Sequence, residues 1–273
     1  MAVGSVVLRD KGICALKTLH HALYVRSSKL VYSYTQTRFT AITGVPLMRP
    51  LWMEYPEDFM TFGIDTNYMF GDNILIASSY QVIERTKVYL PPADEWYNFY
   101  NSQYQEASDQ VLDIFLEQEE IGIYVKAGSI VPRKYTRRMS ALDTLQDNYL
   151  LDIFLSKKTP SKKCIGSLYF DDGESFDYRT SEGYSLVEIV FENDSLSINL
   201  LKSNYKKGQS FVVDQINIFG CDRTPTYVSF LSSIQDSFGQ EPNMVYDETS
   251  KQIEISNFRI HLLEHHNEGA PIM

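Results

Sequence analysis

The densest cluster of carboxylates in the sequence is Asp171-Asp172-Gly173-Glu174. Neighbouring carboxyl groups can perform general acid–base chemistry where burial or crowding raises the pKa of one of them. The same residues are typical of a hairpin turn, because Asp-Gly lies between two strand-like runs, Ser167–Phe170 and Ser175–Tyr178. Calcium binding would need the alternating pattern of an EF-hand loop, which is absent. The pattern therefore favours a turn over a catalytic or metal site.

A second candidate cluster lies at the C-terminal end, where the titratable residues are His261, Glu264, His265 and His266. Histidines spaced four apart on one helix face could ligate a transition metal. Their place in the last residues of the chain favours a frayed tail. The sequence has no Gly-x-Ser-x-Gly elbow, P-loop or dinucleotide fingerprint. No metal and no cofactor is therefore predicted.

Two further patterns are weak. Asn193-Asp194-Ser195 is an N-glycosylation sequon, although one such triplet in a chain of this length is close to chance. Cys14, Cys164 and Cys221 are odd in number and far apart, which fits neither a disulfide framework nor the paired spacing of a zinc site.

Composition narrows the classes of partner. The 273 residues carry a formal charge of −10 and are 44% hydrophobic. A negative charge argues against nucleic acid or an anionic membrane surface as the main partner. No apolar run is long enough for a membrane-spanning helix, and the N-terminus lacks the basic region of a signal peptide.

The elements that would position these residues fall into a helical leader and a series of strands. Residues 13–42 are predicted to be helical, with one face formed by Ile13, Leu16, Leu19, His20, Leu23, Tyr24 and Ser27. Gly44 and Pro46 are stop signals. Short strand-like runs bounded by turn residues then follow from Leu47–Tyr55 to Gln252–Ile260, including Thr226–Leu231, and Ser195–Leu200 alternates polar with apolar residues.

This rhythm predicts a mainly β fold with two β-sandwich domains after the leader. The polar stretch Arg133–Asn148 is the best internal boundary. The predicted domains are a helical leader at 1–42, a proximal sandwich at 43–140 and a distal sandwich at 141–273. Aromatic residues, 13% of the chain, are expected mainly in the core, although ring faces could also stack on sugars.

A run of motifs resembles the C-terminal part of glycoside hydrolase family 31, the α-glucosidases. Thr43–Pro56 resembles the stretch that follows the last helix of the catalytic (β/α)8 barrel, and Asp65–Ala77 resembles the next strands. Further landmarks follow in the family order, namely Val88–Pro91, Trp96–Asn98, Ala127–Pro132, Leu168–Tyr178 and Gly183-Tyr184. The unbroken Asp-Asp-Gly-Glu-Ser-Phe-Asp-Tyr is closest to the glucosidase II α-subunit, which trims glucose from N-glycans in the endoplasmic reticulum.

The resemblance implies that the catalytic residues lie outside this chain. The family is retaining, so it needs a nucleophile and an acid/base carboxyl about 5–5.5 Å apart. Its nucleophile lies in a Trp-x-Asp stretch, but Trp52 is followed by Met-Glu and Trp96 by Tyr-Asn. Gly71-Asp72-Asn73 imitates the end of the acid/base motif, yet its neighbours assign Asp72 to a turn between two strands. No catalytic, cofactor-binding or metal-ligating residue is therefore predicted here.

The expected function is that of the C-terminal portion of a family 31 α-glucosidase, which carries the helical end of the barrel and both trailing β-domains. The implied partners are the catalytic barrel, an N-glycan or oligosaccharide substrate and a glucosidase II β-subunit-like protein, in the endoplasmic reticulum lumen. Truncation, a mispredicted gene and a degenerate copy all stay open. The alternative is a stand-alone, non-catalytic carbohydrate-binding or scaffold module.

One structural expectation separates these two hypotheses. Residues Val45–Ala77 carry more large apolar side chains than one small sandwich should need inside, among them Trp52, Phe59 and Met60. If a barrel normally packs here, some of these side chains should form an exposed patch.

Overall fold

The computed structural model describes residues 16, 18–78, 85–107, 111–116, 120–134, 138, 140–205, 211–229 and 242–263. Strands dominate beyond Gly44, and the helices there span five residues or fewer among the described residues. The predicted fold class, mainly β with β-sandwich domains after a helical leader, is confirmed. Among the described residues, every helix is too short or too polar to cross a membrane.

The helices beyond Gly44 are single turns. The described helices are a stretch at 18–28, α1 (Leu30–Thr43), α2 (Leu51–Glu54), α3 (Ala141–Leu145) and α4 (Asp177–Thr180), with a 3-10 helix at Phe59–Gly63. The strands are β1 (Met48–Pro50), β2 (Asn67–Phe70), β3 (Ile74–Ala77), β4 (Arg85–Val88), β5 (Trp96–Asn98), β6 (Tyr104–Gln105), β7 (Leu112–Phe115), β8 (Gly122–Lys126), β9 (Ser129–Lys134), β10 (Tyr149–Phe154), β11 (Cys164–Phe170), β12 (Ser185–Glu192), β13 (Ser195–Ser203), β14 (Val212–Phe219), β15 (Asn243–Asp247), β16 (Gln252–Ser256) and β17 (Ile260–His261).

The leader is helical at residues 18–28 and again in α1, so the predicted helix of 13–42 is confirmed over its described part. Helix α1 ends at Gly44, whose left-handed conformation (φ 77°) lets its N–H donate to the Thr40 carbonyl at 2.9 Å. Tyr32 and Thr35 are buried on the inner face of α1. The Tyr32 hydroxyl donates to the Phe70 carbonyl in β2, and Thr35 Oγ1 accepts from the Tyr169 N–H in β11. The helix therefore contacts both β2 and β11, which belong to the two separate sheets that form the first and second halves of the molecule.

The first half is built on a six-stranded antiparallel sheet with the order β1-β2-β3-β8-β5-β6. A two-stranded sheet, β4-β7, packs on one face around Val88, Met69 and Leu75. The opposite face packs on Tyr32 of the leader and on Phe154 and other residues of the second half. Both faces of this sheet are thus covered, which explains its apolar residues on both sides.

The second half is a nine-stranded sheet with the order β13-β12-β11-β9-β10-β14-β16-β15, and β17 adds to β14. Most pairs are antiparallel, but β10 runs parallel to β14 and β11 runs parallel to β9. Strand β12 alternates buried and half-buried residues along its whole length, as a strand with one core face should. Its inward residues share one core with those of β10, β14 and β16, so the sheet folds back over its own face.

The two halves meet in a direct contact between their sheets. Tyr97 of β5 packs on Phe154 of β10 with ring centroids 5.5 Å apart, and the Tyr97 hydroxyl donates to the Leu155 carbonyl at 2.7 Å. A Cβ atom at Gly220 would lie 2.1 Å from that hydroxyl, and the residue has φ +84°. Glycine is therefore required at this position for the halves to approach.

Three sequence predictions of local structure are wrong. Leu47–Tyr55 is a strand only at Met48–Pro50, because the Tyr55 N–H bonds back to the Leu51 carbonyl and closes a helical turn. Ser175–Tyr178 is not the second arm of a hairpin: α4 begins at Asp177, and β11 pairs with β12. The described part of Thr226–Leu231 is irregular, whereas β15, which the sequence did not indicate, forms a strand.

Sheet membership changes between β8 and β9, at a turn where Gly128 has φ +77°. The sequence placed the division within 133–148, but β9 already belongs to the second sheet through its pairing with β10. The stretch around 140–148 forms α3 and a turn instead. The assignment of domains at 43–140 and 141–273 stays a prediction.

Candidate functional site

The most unusual surface feature is a set of large apolar side chains that point into solvent between residues 42 and 62, here called the apolar face. Its members lie on the end of α1, β1, α2 and the 3-10 helix, and they are Ile42, Val45, Met48, Trp52, Met53, Phe59, Met60 and Phe62. Phe59 is 81% exposed and Trp52 is 48% exposed. Helix α2 contacts both β1 and the 3-10 helix, so these side chains share one region of the surface. Exposed apolar clusters of this kind are typical of interaction sites and of aggregation-prone surfaces.

The backbone beneath the apolar face is held by Arg49, which is buried next to exposed Met48. Its guanidinium donates to the Glu54 carboxylate at 2.9 Å and to Asp72 at 3.0 Å. It also donates to the carbonyls of Pro46 and Gly71 at 3.1 and 3.0 Å. Because one side chain ties β1 to α2 and to the β2–β3 turn, the segment has a fixed shape.

A second set of anchors holds the 3-10 helix. The Asp58 carboxylate accepts hydrogen bonds from the Met60 N–H at 3.0 Å and from the Tyr89 hydroxyl at 2.7 Å. The Tyr55 hydroxyl donates to Asp94 at 2.8 Å. Burial, reinforced by Asp94, raises the pKa of Tyr55, so the hydroxyl stays a donor at neutral pH. The exposed aromatic side chains therefore project from a backbone that these hydrogen bonds hold in place.

The leader adds to the unpartnered apolar surface. Leu16, Leu19 and Leu23 belong to the helix face that the sequence predicts, and they are 43–56% exposed. A face with this spacing normally packs on a neighbouring element. In the described residues the leader thus buries its α1 segment and leaves its earlier leucines in solvent.

The carboxylate cluster is a structural turn in which Asp171 is buried. Asp171 accepts hydrogen bonds from the hydroxyls of Tyr34 at 2.5 Å and Tyr169 at 2.8 Å, and from the Gly173 N–H at 2.9 Å. Burial and the neighbouring Asp171 raise the pKa values of both tyrosines, which keeps them protonated as donors. The carboxylate therefore fastens α1 to the end of β11.

The other members of the cluster lie outside this buried network. Asp172 is exposed and accepts from the Glu174 and Ser175 N–H groups at 3.1 and 3.0 Å. The Ser175 hydroxyl and these N–H groups hold the pKa of Asp172 below its ordinary value. Glu174 is exposed. This is the hydrogen bonding of an Asx turn.

The remaining sequence candidates are scattered. Asp72 lies in the β2–β3 turn, as predicted, with its carboxylate on Arg49. His261 is exposed in β17 rather than in a frayed tail, while Glu264, His265 and His266 lie outside the described residues. Cys164 and Cys221 are buried free thiols, and Cys14 is outside the described range. Where the chain is described, no three His, Cys, Asp or Glu residues are placed to hold a metal.

The sequon has the exposure that its modification would need. Asn193 and Asp194 form the β12–β13 turn, are exposed and have positive φ angles of 52° and 59°. Both residue types tolerate this conformation, which two-residue hairpins require. The hairpin explains why Asn-Asp occurs here without any appeal to glycosylation.

The chain is similar in sequence to glycosyl hydrolases of family 31. Residues 44–131 match the family described as glycosyl hydrolase family 31 C-terminal domain. A probable glucan 1,3-alpha-glucosidase of Oryza sativa subsp. japonica is 33% identical over 207 residues, which cover 74% of this chain and 22% of the relative. Human neutral alpha-glucosidase AB is 33% identical over 180 residues, covering 65% and 19% respectively. The chain thus spans about a fifth of the length of these relatives.

Solved structures share the fold. An endoplasmic reticulum glucosidase II complex of a catalytic subunit and the binding domain of a regulatory subunit superposes with a TM-score of 0.72 at 20% identity. The match covers 86% of this chain and 26% of that one. A family 31 dextranase of Flavobacterium johnsoniae, complexed with isomaltotriose, gives a TM-score of 0.69 at 24% identity over 87% and 30% of the two chains.

Proposed function

We propose that this chain, which belongs to glycoside hydrolase family 31 and corresponds to the C-terminal part of that family, braces the catalytic domain of an α-glucosidase. The observation that carries this proposal is the apolar face, in which Trp52, Phe59 and Met60 project from a rigidly anchored segment. The face follows directly on α1, where the family's barrel would end. An apolar interface of this kind suits a permanent partner.

The energetic argument concerns the cost of leaving the face in water. Fully burying one Leu, Met or Phe side chain is worth about 1.5–3 kcal/mol. Eight side chains at 41–81% exposure therefore represent a stabilisation of several kcal/mol that a covering domain would supply. That amount is comparable with the whole stability of a domain. In our proposal the catalytic domain and this chain stabilise each other.

The reaction that we propose for the assembled enzyme is hydrolysis of terminal α-linked glucose with retention. It would use a carboxylate pair about 5–5.5 Å apart, supplied by the catalytic domain. We infer that no residue of this chain takes part in bond breaking, since Asp171 is bound by two tyrosine hydroxyls. In our proposal this chain instead holds in place the barrel whose strands carry the active site.

The glucosidase II resemblance suggests a finer hypothesis. One similar structure is described as an endoplasmic reticulum heterodimer with a regulatory subunit. We propose that the assembled enzyme acts on glucosylated N-glycans in that compartment and binds a comparable β-subunit. The exposed sequon at Asn193 is compatible with a luminal location.

The decisive experiment joins the chain to a catalytic domain in trans. The N-terminal part of the rice relative, without the segment that matches this chain, is co-expressed with it and assayed for co-purification and α-glucosidase activity. The proposal predicts a stable complex that the triple variant Trp52→Ser, Phe59→Ser, Met60→Ser fails to form. Glu57→Ser, an exposed substitution nearby, serves as the control. Equal recovery of the triple variant would refute the docking face, and a chain that binds oligosaccharides alone would favour a stand-alone module.

A further inference from the structure

A cavity of about 460 Å³ opens at the end of the second sheet where the β12–β13 hairpin turns. Its volume lies within the range of natural small-molecule pockets. One wall consists of aliphatic side chains of β10, β14 and β16, namely Ile153, Ile216, Ile218, Ile253 and Ile255. Phe191 and Leu196 of the hairpin complete the wall. All of these side chains are buried, so the cavity continues the hydrophobic core outward.

The isoleucine wall disfavours a sugar lying against it. A sugar hydroxyl that loses water there without gaining a hydrogen bond costs roughly 1–3 kcal/mol, and the aliphatic side chains offer no replacement partners. Polar lining residues, among them Asn193, Thr226 and Tyr227, complete the cavity elsewhere. Cys221 also lines the cavity, and burial raises the pKa of its thiol to about 11, so it is neutral at pH 7. The part of a ligand that lies against the isoleucine wall must therefore be apolar. This site is separate in chemistry from the glucosidase activity.

The mouth of the cavity carries charge. Lys162 and Arg223 supply cations there, and Asp194 and Asp222 supply anions. The Asp222 carboxylate is paired with Lys251 at 3.2 Å, which neutralises it. Two cations then face one remaining carboxylate. The mouth is thus locally cationic on a protein of net charge −10, and it complements an anionic head group.

We propose that this cavity binds a small amphiphile with an unbranched aliphatic body and a single carboxylate head, the chemistry of a medium-chain fatty acid. The aliphatic body fills the space between β14, β16 and the hairpin. The carboxylate stays at the mouth beside Lys162 and Arg223, where it remains partly hydrated. The site does not involve the apolar face, so its test is independent of the proposed function.

Isothermal titration of the purified full chain with decanoate, decanamide and decyltrimethylammonium tests the proposal. Decanoate should bind one site, decanamide should bind about fivefold more weakly and the cationic probe more weakly still. The double variant Lys162→Ala, Arg223→Ala should lower decanoate affinity about fivefold and leave decanamide unchanged. Lys163→Ala, a neighbouring lysine outside the lining, is the matched control.

A second pair of variants assigns the binding to the cavity. Ile255→Phe on β16 and Leu196→Phe on the hairpin each place a larger side chain in the cavity, and either folded variant should abolish binding of both probes. Phe59→Ser on the apolar face should leave the affinity unchanged. Binding that survives both filling variants, binding that Phe59→Ser removes, equal affinity for the three probes, or no decanoate binding at millimolar concentration would each overturn the proposal.

Discussion

Asp171 shows how a residue that resembles a catalytic group can serve the fold instead. Its carboxylate is only 5% exposed and accepts from two tyrosine hydroxyls and one backbone N–H, which come from both α1 and the second sheet. A buried carboxylate with these donors is bound on several sides. Removing it would leave the donors unpaired in a buried site.

The Asp171→Ala variant should therefore lower the free energy of unfolding by about 2–4 kcal/mol. Urea denaturation of the purified chain measures this change. Glu174→Ala removes an exposed carboxylate three residues away and should change stability by less than about 0.5 kcal/mol. Equal effects of the two substitutions would contradict the structural role of Asp171.

Glu95 connects the two halves of the molecule in a pH-dependent way. Its carboxylate accepts from the Ser156 hydroxyl, from the Lys157 and Lys158 N–H groups at 3.1 and 3.2 Å, and from the Tyr104 hydroxyl at 3.1 Å. Burial alone would raise the pKa of Glu95, but the hydrogen bonds outweigh it and hold the pKa below the ordinary value. The ionised form is therefore the one that stabilises the fold.

Because the folded pKa is lowered, the unfolded chain binds more protons near pH 4 and stability rises with pH through that window. The contribution of Glu95 is present above about pH 4.3, the unfolded value, and is lost as the pH falls through the folded value. Glu95→Gln should be less stable than the wild type at pH 7, and the difference should shrink toward about pH 3. Denaturation across this range tests it. Glu57→Gln, exposed, should show no such convergence, and a constant difference for Glu95→Gln would contradict the argument.

At the scale of elements, β1 and α2 are too short to be stable alone and depend on Arg49. Replacing it by lysine keeps the charge but removes the planar fork that reaches Glu54 and Asp72 together with two carbonyls. Arg49→Lys should cost about 2–3 kcal/mol in the free energy of unfolding. Arg85→Lys is the control, since Arg85 is exposed and its pair with Asp113 is long at 3.6 Å. A cost as small as that of Arg85→Lys would show that Arg49 does not hold this element.

The elements that the sequence predicts correctly are those with a local, repeating signal. Strand β13 follows the alternation of Ser195–Leu200, residues 18–28 are helical where the helical spacing lies, and α1 ends at the predicted stop signal Gly44. One failure has a non-local cause. Ser175–Tyr178 has strand-like residues, but the partner of β11 is β12, which begins at Ser185, ten residues after Ser175. Pairing across the molecule decides such segments.

The apolar face also combines a feature that the sequence predicts with contacts that it does not. Excess apolar residues in Val45–Ala77 could be counted from the sequence, and the structure exposes Trp52, Phe59 and Met60. The hydrogen bonds that hold their backbone could not be predicted, because the partners are distant along the chain. Arg49 and Asp72 are 23 positions apart, and Tyr89 and Asp58 are 31 positions apart. The cavity of the second sheet had no sequence signal, since its lining comes from strands distant along the chain.

At the scale of the whole molecule, our proposal assigns the catalytic carboxylates to the catalytic domain and a bracing role to this chain. It therefore predicts that the isolated chain does not hydrolyse a chromogenic α-glucoside. A positioned pair of carboxylates supplies most of the acceleration in retaining glycosidases, and in our proposal that pair belongs to the catalytic domain. The assay needs purified chain at micromolar concentration and a blank. Turnover that disappears in Asp171→Asn or Asp172→Asn would contradict the prediction and make the carboxylate cluster an active site.

The central claim, that the apolar face is the docking surface of a partner domain, is tested most directly by the mass of the isolated chain in solution. Light scattering coupled to gel filtration, over a range of concentrations, compares the wild type with the triple variant Trp52→Ser, Phe59→Ser, Met60→Ser. We predict that the wild type self-associates with rising concentration. The triple variant should stay monomeric with an unchanged thermal midpoint, because these side chains are exposed. A wild-type chain that remains a monodisperse monomer with a sharp thermal transition would contradict the claim.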